Sequence, residues 1–184
     1  MKPICRPVIV LEGPDGGGKS TLADRLTDRF GWPVVHTGGP ITTKGGFLAR
    51  VEEKKLLSST QVIFDRVPLI SDLVYSSLQN RPSFLSQNET LSFLRIMSPV
   101  VIYCRLSSAQ LMLQRMVQQE KSHKPKDHVM QVKDSYEEIV RLYDTVIRVL
   151  PPEYVVTYNW MKDDFESLVA SILDRTEPRF QCAG

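Results

Sequence analysis

The sequence predicts a single three-layer α/β domain in which helices cover both faces of a parallel sheet. Short apolar runs, each too brief for a helix, alternate with longer amphipathic segments along the chain. Alternation of this kind is typical of right-handed strand–helix–strand units, which generate parallel sheets. The length of 184 residues corresponds to one domain with a substantial core, and we find neither an internal repeat nor a low-complexity segment. We therefore expect residues 1–184 to form one domain.

Five apolar runs are the predicted strands, at 8–11, 34–36, 62–64, 100–104 and 154–158. They are rich in β-branched and aromatic residues, which favour extended backbone. Continuous rather than alternating apolar runs are typical of strands that are buried on both faces. Pro33 and Pro99 stand directly before the second and fourth runs, where proline prevents a preceding helix from continuing.

The longer segments are the predicted helices, at 19–30, about 46–58, 68–79, 87–97, 107–119, 131–149 and 163–174. In the first of them Leu22, Leu26 and Phe30 recur on one helical face, and Gly31 follows as a helix terminator. Ser107 can cap the fifth helix, and Pro151 ends the sixth. We expect a flexible tail at about 175–184.

Composition excludes several classes of protein. The chain has 23 Lys and Arg against 21 Asp and Glu, and this net charge of +2 argues against a protein that coats nucleic acid. No apolar stretch approaches the roughly 18 residues that span a membrane, and the first residues do not resemble a signal peptide. Cys5, Cys104 and Cys182 are odd in number and far apart, so we expect no disulfide framework and a reducing cytoplasm.

The segment Gly13–Thr21, directly after the first strand, matches the phosphate-binding loop G-x-x-x-x-G-K-[ST]. Glycines let backbone N–H groups wrap closely around phosphate oxygens, and the helix that follows adds its positive N-terminal end. Lys19 can reach the β- and γ-phosphates of a nucleotide, and the Ser20 hydroxyl can bind Mg²⁺. The residues predicted to hold the phosphates are Gly13, Asp15, Gly16, Gly17, Gly18, Lys19, Ser20 and Thr21.

A second group of polar residues, Asp65–Arg66, closes the third strand. Ligands of open parallel sheets bind beyond the carboxyl ends of the strands, where this pair is expected. Asp65 could hold a water on Mg²⁺, and Arg66 could bind a phosphate with two hydrogen bonds. An ion pair on the protein surface is the alternative interpretation.

At this point the chain resembles a known family. The segment Glu12–Thr21 looks like the opening of thymidylate kinases and related nucleoside monophosphate kinases, including phage-type deoxynucleotide kinases. Asp65–Arg66, followed by Ser71 and Tyr75, is similar to the segment of these enzymes that binds the acceptor nucleotide. The resemblance implies a P-loop kinase fold with a five-stranded parallel sheet in the order 2-3-1-4-5, a helical lid, and ATP and Mg²⁺ as cosubstrates. Family members are often homodimers.

The resemblance also implies roles for individual residues. Asp15 would lie near the acceptor sugar, Arg66 near its phosphate, and the helix carrying Ser71 and Tyr75 near its base. Val67 stands where thymidylate kinases usually have an aromatic residue, and Ser71 and Tyr75 lie one position further along than in those enzymes. Thymine is therefore only the leading candidate for the base.

Three further positions are candidates for the site. Arg115 lies where the family's lid carries its arginines, and we expect a lid at about 115–130; a solvated charged loop is the alternative for the lysines there. Asn159 and Trp160 follow the fifth strand, where this fold usually holds the adenine ring, and core or edge packing is the alternative. Phe47 could stack on the acceptor base, although a core position is the more common role.

The absence of a carboxylate after the second strand predicts the class of the acceptor. Deoxynucleoside kinases carry a general base near the end of the second strand, and residues 35–40 contain no Asp or Glu. A nucleoside monophosphate needs no such base, because it is already a nucleophilic anion at neutral pH. We therefore predict phosphoryl transfer from ATP to a deoxynucleoside monophosphate, with dTMP as the leading candidate, although Asp65 could still serve as a base.

Two alternatives remain open. The chain could be a deoxynucleoside kinase that phosphorylates a 5′-hydroxyl. It could also be a P-loop switch or motor that hydrolyses a nucleotide, although the Asn-Lys-x-Asp segment with which GTPase switches read their base does not occur in the sequence. For the predicted kinase the expected partners are small-molecule nucleotides and a second copy in a homodimer, without nucleic acid or membrane.

The substitution Lys19→Ala is expected to abolish phosphoryl transfer and to leave the fold intact, because the Lys19 ammonium stabilises charge on the migrating phosphoryl group. Product formation from labelled ATP measures the transfer, and far-ultraviolet circular dichroism measures the fold. Turnover close to that of the unmodified protein would contradict the assignment of this loop.

Overall fold

The computed structural model describes residues 8–37, 43–107, 109–111 and 133–181, and these include a five-stranded sheet. Its strands are β1 (Val8–Glu12), β2 (Val34–His36), β3 (Val62–Asp65), β4 (Val100–Cys104) and β5 (Val155–Tyr158). Every neighbouring pair is parallel, and the order is β2-β3-β1-β4-β5. The predicted parallel sheet and the strand order implied by the resemblance are both confirmed.

Helices connect the strands. They are α1 (Lys19–Phe30), α2 (Lys44–Leu57), α3 (Pro68–Leu78), α4 (Gln87–Met97), α5 (Lys133–Arg148) and α6 (Phe165–Gln181), with a 3₁₀ turn at Pro152–Tyr154. None of the helices among the described residues is long and apolar enough to cross a bilayer. Most of the helix predicted at 107–119, and the whole segment 115–130, lie outside the described residues.

The last helix extends beyond its predicted end near residue 174. The side chain of Arg175 donates a hydrogen bond to the Val155 carbonyl oxygen at 3.2 Å, and Thr176 is buried. These contacts join the final turns of α6 to β5, and they depend on tertiary packing that the local sequence does not reveal. The flexibility predicted for 175–184 stays a prediction.

The core lies in two layers, one on each face of the sheet. Val8 and Val10 of β1 belong to a cluster that α2, α3, α4 and α5 cover, whereas Ile9 and Leu11 belong to a second cluster, which α1 and α6 cover. All four side chains are completely buried. Burial on both faces explains why this strand is a continuous apolar run, and it confirms the predicted three-layer arrangement.

The parallel register brings the carboxyl ends of three strands together. Leu11 lies beside Asp65 of β3 and Ile102 of β4, and Glu12 lies beside Tyr103. The loops that leave these strands therefore emerge at one edge of the sheet, which is where open α/β sheets bind their ligands.

A buried carboxyl group ends β1. The Glu12 side chain is completely buried, and its Oε1 accepts a hydrogen bond from the Val67 backbone N–H at 2.9 Å. Burial raises the pKa of Glu12 to about 7 from its ordinary value of 4.5, although the nearby Arg66 charge acts in the opposite direction. The segment that carries the family resemblance begins at Glu12 but does not indicate this environment, and the only signal in the sequence is a charged residue directly after an apolar run.

The substitution Glu12→Gln is expected to remove a pH dependence of stability. Between about pH 4.5 and 7 the folded protein retains the Glu12 proton that the unfolded chain loses, so the wild-type free energy of unfolding falls as pH rises. Glutamine does not titrate, and the variant should gain up to about 3 kcal/mol relative to wild type across this range. Urea unfolding at several pH values measures the difference.

The matched control for this prediction is Glu52→Gln. Glu52 is exposed on α2, and its carboxylate pairs with Lys55 at 3.3 Å. We expect the difference in the free energy of unfolding between this variant and wild type to change little over the same pH range, because an exposed carboxylate remains solvated. If the difference in the free energy of unfolding between Glu12→Gln and wild type is equally independent of pH, the raised pKa of the buried Glu12 is contradicted.

Candidate active site

The phosphate-binding loop rests directly on the end of β4. A Cβ atom at Gly13 would lie 2.6 Å from the Cys104 carbonyl oxygen, and Gly13 has a φ of 139°, so only glycine fits there. Within the loop, the Gly17 N–H donates a hydrogen bond to the Pro14 carbonyl oxygen at 3.1 Å. Cys104 itself is buried. The loop is thus a tight turn whose position is set by a neighbouring strand.

A cleft of about 330 Å³ opens beside the loop. It is lined by Asp15, Gly16, Gly18, Lys19, Ser20, Thr21, Leu22, Arg25, Tyr158 and Trp160. Trp160 lies against the loop, since a Cβ atom at Gly18 would be 2.6 Å from its ring. The cleft therefore contains most of the residues predicted to hold phosphates, together with an aromatic wall formed by Tyr158 and Trp160.

Lys19 turns its ammonium group back onto the loop. Its Nζ donates hydrogen bonds to the carbonyl oxygens of Gly13 at 2.9 Å and Pro14 at 2.8 Å, and the side chain is only 8% exposed. Burial, with the nearby positive charge of Arg66, lowers the pKa of Lys19 below its ordinary value. The group is therefore a poorly solvated donor that an arriving anion can pair with.

Arg66 extends from the end of β3 to the same loop. Its Nη2 donates to the Gly13 carbonyl oxygen at 3.1 Å and to Asp15 Oδ1 at 2.5 Å, and its Nη1 donates to Tyr75 Oη at 2.9 Å. The ion pair of Arg66 is thus with Asp15, on the phosphate-binding loop, and its side chain is largely buried. Asp15, Arg66 and Tyr75, for which the resemblance implies one acceptor site, are brought together here.

The two carboxylate oxygens of Asp65 have different surroundings. Its Oδ2 lies 3.1 Å from His36 Nδ1, whereas its Oδ1 is buried and has no hydrogen-bond partner among the described residues. A buried unpaired carboxylate oxygen is costly, and a cation or its bound water is a suitable partner. Ser20 lies in the first turn of α1, is exposed, and supplies a hydroxyl oxygen that can bind Mg²⁺. These two oxygen groups are the candidates to hold the predicted magnesium ion.

The donor set is too small to hold a metal ion without help. Within the residues that the structure describes, no group of three or more His, Cys, Asp or Glu side chains is placed to bind one. This agrees with the usual behaviour of Mg²⁺, which one or two protein ligands hold together with water and substrate phosphates.

Ser71 and Phe47, two further candidates for acceptor binding, lie in different surroundings. Ser71 Oγ lies 3.5 Å from both carboxyl oxygens of Glu12, so it lies at the buried end of β1. Phe47 is 1% exposed and packs against Phe84, with their ring centroids 5.3 Å apart. The packing favours the core interpretation of Phe47, and its contact with a base stays a prediction.

Asn159 uses its side chain to order the loop after β5. Its Nδ2 donates to Gln110 Oε1 at 3.2 Å, and its Oδ1 accepts from the Met161 N–H at 3.1 Å. Asn159 is not among the residues that line the cleft, whereas the neighbouring Trp160 is. Arg115, the predicted lid arginine, lies outside the described residues.

No protein-family model matches the chain, and two curated kinases are similar to short stretches of it. Adenylate kinase from Methylobacterium radiotolerans is 34% identical over 61 residues, which are 32% of this chain and 30% of that enzyme. The bifunctional pantoate ligase/cytidylate kinase from Gloeobacter violaceus is 54% identical over 33 residues, 18% of this chain and 6% of that protein. The chain thus spans less than a third of the length of either relative.

Similarity to solved structures extends over nearly the whole chain. The YorR protein of Bacillus subtilis, solved in complex with phosphorylated GDP, has a TM-score of 0.69 at 20% identity, covering 92% of this chain and 95% of that one. Shikimate kinase from Acinetobacter baumannii has a TM-score of 0.59 at 14% identity, covering 95% of each chain. Deoxyadenosine kinase from M. mycoides, solved with dCMP and dCDP, has 0.53 at 16% identity, covering 93% and 99%. The chain therefore has the fold of the P-loop kinases.

Proposed function

We propose that this chain is a kinase that transfers the γ-phosphoryl group of ATP to a deoxynucleoside monophosphate, with dTMP as the leading candidate. One observation carries the proposal. The Gly13 carbonyl oxygen accepts hydrogen bonds from Lys19 Nζ at 2.9 Å and from Arg66 Nη2 at 3.1 Å. The lysine of the phosphate-binding loop and the arginine assigned to the acceptor therefore lie within one hydrogen bond of the same atom.

The chemistry of phosphoryl transfer favours such an arrangement. Negative charge spreads over the transferred group, so the protein contributes mainly by positioning the reactants and neutralising charge. In the proposed reaction Lys19 pairs with the migrating phosphoryl group, and Arg66 pairs with the acceptor phosphate. Both cations are mostly buried, which strengthens their interaction with an anion relative to water. Asp15, which accepts a hydrogen bond from Arg66, would orient the acceptor sugar in this reaction.

Ser20 and Asp65 are the residues that would hold Mg²⁺, with Asp65 acting through a water. When bound, the ion would neutralise charge on the ATP phosphates. Three further parts of this proposal rest on the sequence and its family resemblance. They are the role of Arg115 as a cation that arrives with a lid at 115–130, the assembly of a homodimer, and a cytoplasmic location.

The relatives support the reaction class. Adenylate kinase and cytidylate kinase are named for nucleotide substrates, and YorR was solved with a phosphorylated nucleotide.

A deoxynucleoside acceptor is a second candidate, and one contact favours it. The end of β2 has no carboxylate of its own, yet His36 of β2 lies 3.1 Å from Asp65, so a carboxylate does reach that position. A hydroxyl acceptor needs a general base within hydrogen-bond distance, and Asp65 could provide it. The similarity in fold to deoxyadenosine kinase agrees with this alternative.

A screen of acceptors tests the two candidates directly. ADP release is followed in a coupled assay with ATP and Mg²⁺ and with each common nucleoside, nucleoside monophosphate and deoxynucleoside monophosphate. We expect release that depends on a deoxynucleoside monophosphate and the diphosphate as product in thin-layer analysis. Turnover with nucleosides alone would favour the second candidate, and ADP release independent of any acceptor would favour a hydrolase.

The substitution Arg66→Ala is expected to raise the KM for the acceptor by about tenfold or more and to change the KM for ATP much less. The physical reason is the loss of a charge-assisted pair with the acceptor phosphate, which the donor nucleotide does not use. Steady-state kinetics with each substrate varied in turn measures both constants. Equal increases in the two constants would contradict the acceptor role.

A further inference from the structure

Arg66 has an unusual backbone conformation. Its φ of 71° lies in the left-handed region, which residues with a Cβ atom rarely adopt outside turns. Strained backbone of this kind persists when surrounding contacts enforce it, and it is concentrated at functional sites. The contacts that hold Arg66 therefore indicate how its side chain is aimed.

Thr37, the residue after β2, supplies most of these contacts. Its Oγ1 lies 2.5 Å from the Arg66 carbonyl oxygen and 3.0 Å from the Asp65 carbonyl oxygen, with one proton to donate between them. Its backbone N–H also donates to the Asp65 carbonyl oxygen, at 3.3 Å. On the other side, the Arg66 N–H donates to the Leu11 carbonyl oxygen at 3.0 Å. The strained residue is thus held between the ends of β2 and β1.

The direction of the backbone decides where the guanidinium group goes. From this position the Arg66 side chain turns toward β1 and reaches Gly13 and Asp15 on one side and Tyr75 on the other. Without the Thr37 hydroxyl, the Arg66 carbonyl group would lose its hydrogen bond from β2, and the peptide could relax toward an ordinary φ. The guanidinium would then leave the phosphate-binding loop, although nothing that touches the acceptor had been removed.

We propose that Thr37 is a positioning residue for acceptor binding, because its hydroxyl holds Arg66 in the left-handed conformation that aims the guanidinium group. This inference rests on the proposed role of Arg66. Thr37 acts through Arg66, so it should affect the acceptor and not the donor. A purely structural threonine would instead lower stability and affect both substrates alike.

The test compares Thr37→Val, which removes the hydroxyl and keeps the shape of the side chain, with Thr37→Ser, which keeps the hydroxyl. Thr60→Val is the matched control, because the Thr60 hydroxyl also donates to a backbone carbonyl oxygen, that of Leu57 at 2.8 Å, but Thr60 lies in the turn after α2. The acceptor is the monophosphate that is phosphorylated fastest in the screen. For each variant the acceptor KM, the ATP KM and the melting temperature are measured.

We expect Thr37→Val to raise the acceptor KM by about fivefold, the usual effect of one hydrogen bond, with an ATP KM within about twofold of wild type. Thr37→Ser should restore the acceptor KM, and Thr60→Val should leave it unchanged. An acceptor KM that Thr37→Val does not change, or equal increases for both substrates, would overturn the inference. If Thr37→Val does not fold, Thr37→Ala removes the same hydroxyl and is expected to give the same result.

A double-mutant cycle with Arg66→Ala separates this inference from the proposed function. If Thr37 acts through Arg66, Thr37→Val should not raise the acceptor KM further once Arg66 is replaced, and additive effects would overturn the inference. Arg66→Ala alone tests the proposed function. An acceptor KM that rises in Arg66→Ala and not in Thr37→Val rejects only the role of Thr37, whereas no rise in Arg66→Ala rejects the assignment of Arg66 itself.

Discussion

The candidate site depends on one carbonyl oxygen that receives two cations. Lys19 and Arg66 both donate to the Gly13 oxygen, although like charges in a poorly solvated place repel each other. Two carboxyl groups offset the repulsion: Asp15 pairs with Arg66 from the solvent side, and Glu12 lies buried beneath them. The arrangement exists only because parallel pairing of β1 with β3 places Leu11 beside Asp65.

This balance of charge explains why the site would favour anions. Burial raises the pKa of Glu12 to about 7 and lowers that of Lys19, so neither group is fully compensated by its surroundings. The buried Oδ1 of Asp65, which has no hydrogen-bond partner in the part of the chain that the structure describes, leaves a position for a cation beside them. A nucleotide bound with its metal ion would supply an anion for Lys19 and a cation for Asp65. Binding would thereby offset the free-energy cost of burying these charged groups in the folded protein.

Several residues of the site have positive φ values. Gly13 and Gly18 adopt positive φ values where a side chain would collide with Cys104 or Trp160, whereas Arg66 adopts one despite its side chain. Glycine meets the first requirement locally. The Arg66 backbone accepts a hydrogen bond from the hydroxyl of Thr37, the residue after β2, and donates one to the Leu11 carbonyl oxygen of β1, so its surroundings come from the strands on both sides of β3.

By itself the sequence determined the features that depend on neighbouring residues. The strands follow from continuous apolar runs, α1 from its four-residue periodicity, and the phosphate-binding loop from a motif within nine residues. The strand order came only from the resemblance to a family. Tertiary structure alone decided that Glu12 is buried, that Arg66 pairs with Asp15, that Trp160 lies on Gly18, and that α6 continues past 174. Those contacts join residues far apart in the chain, and no local pattern encodes which distant groups a sheet will bring together.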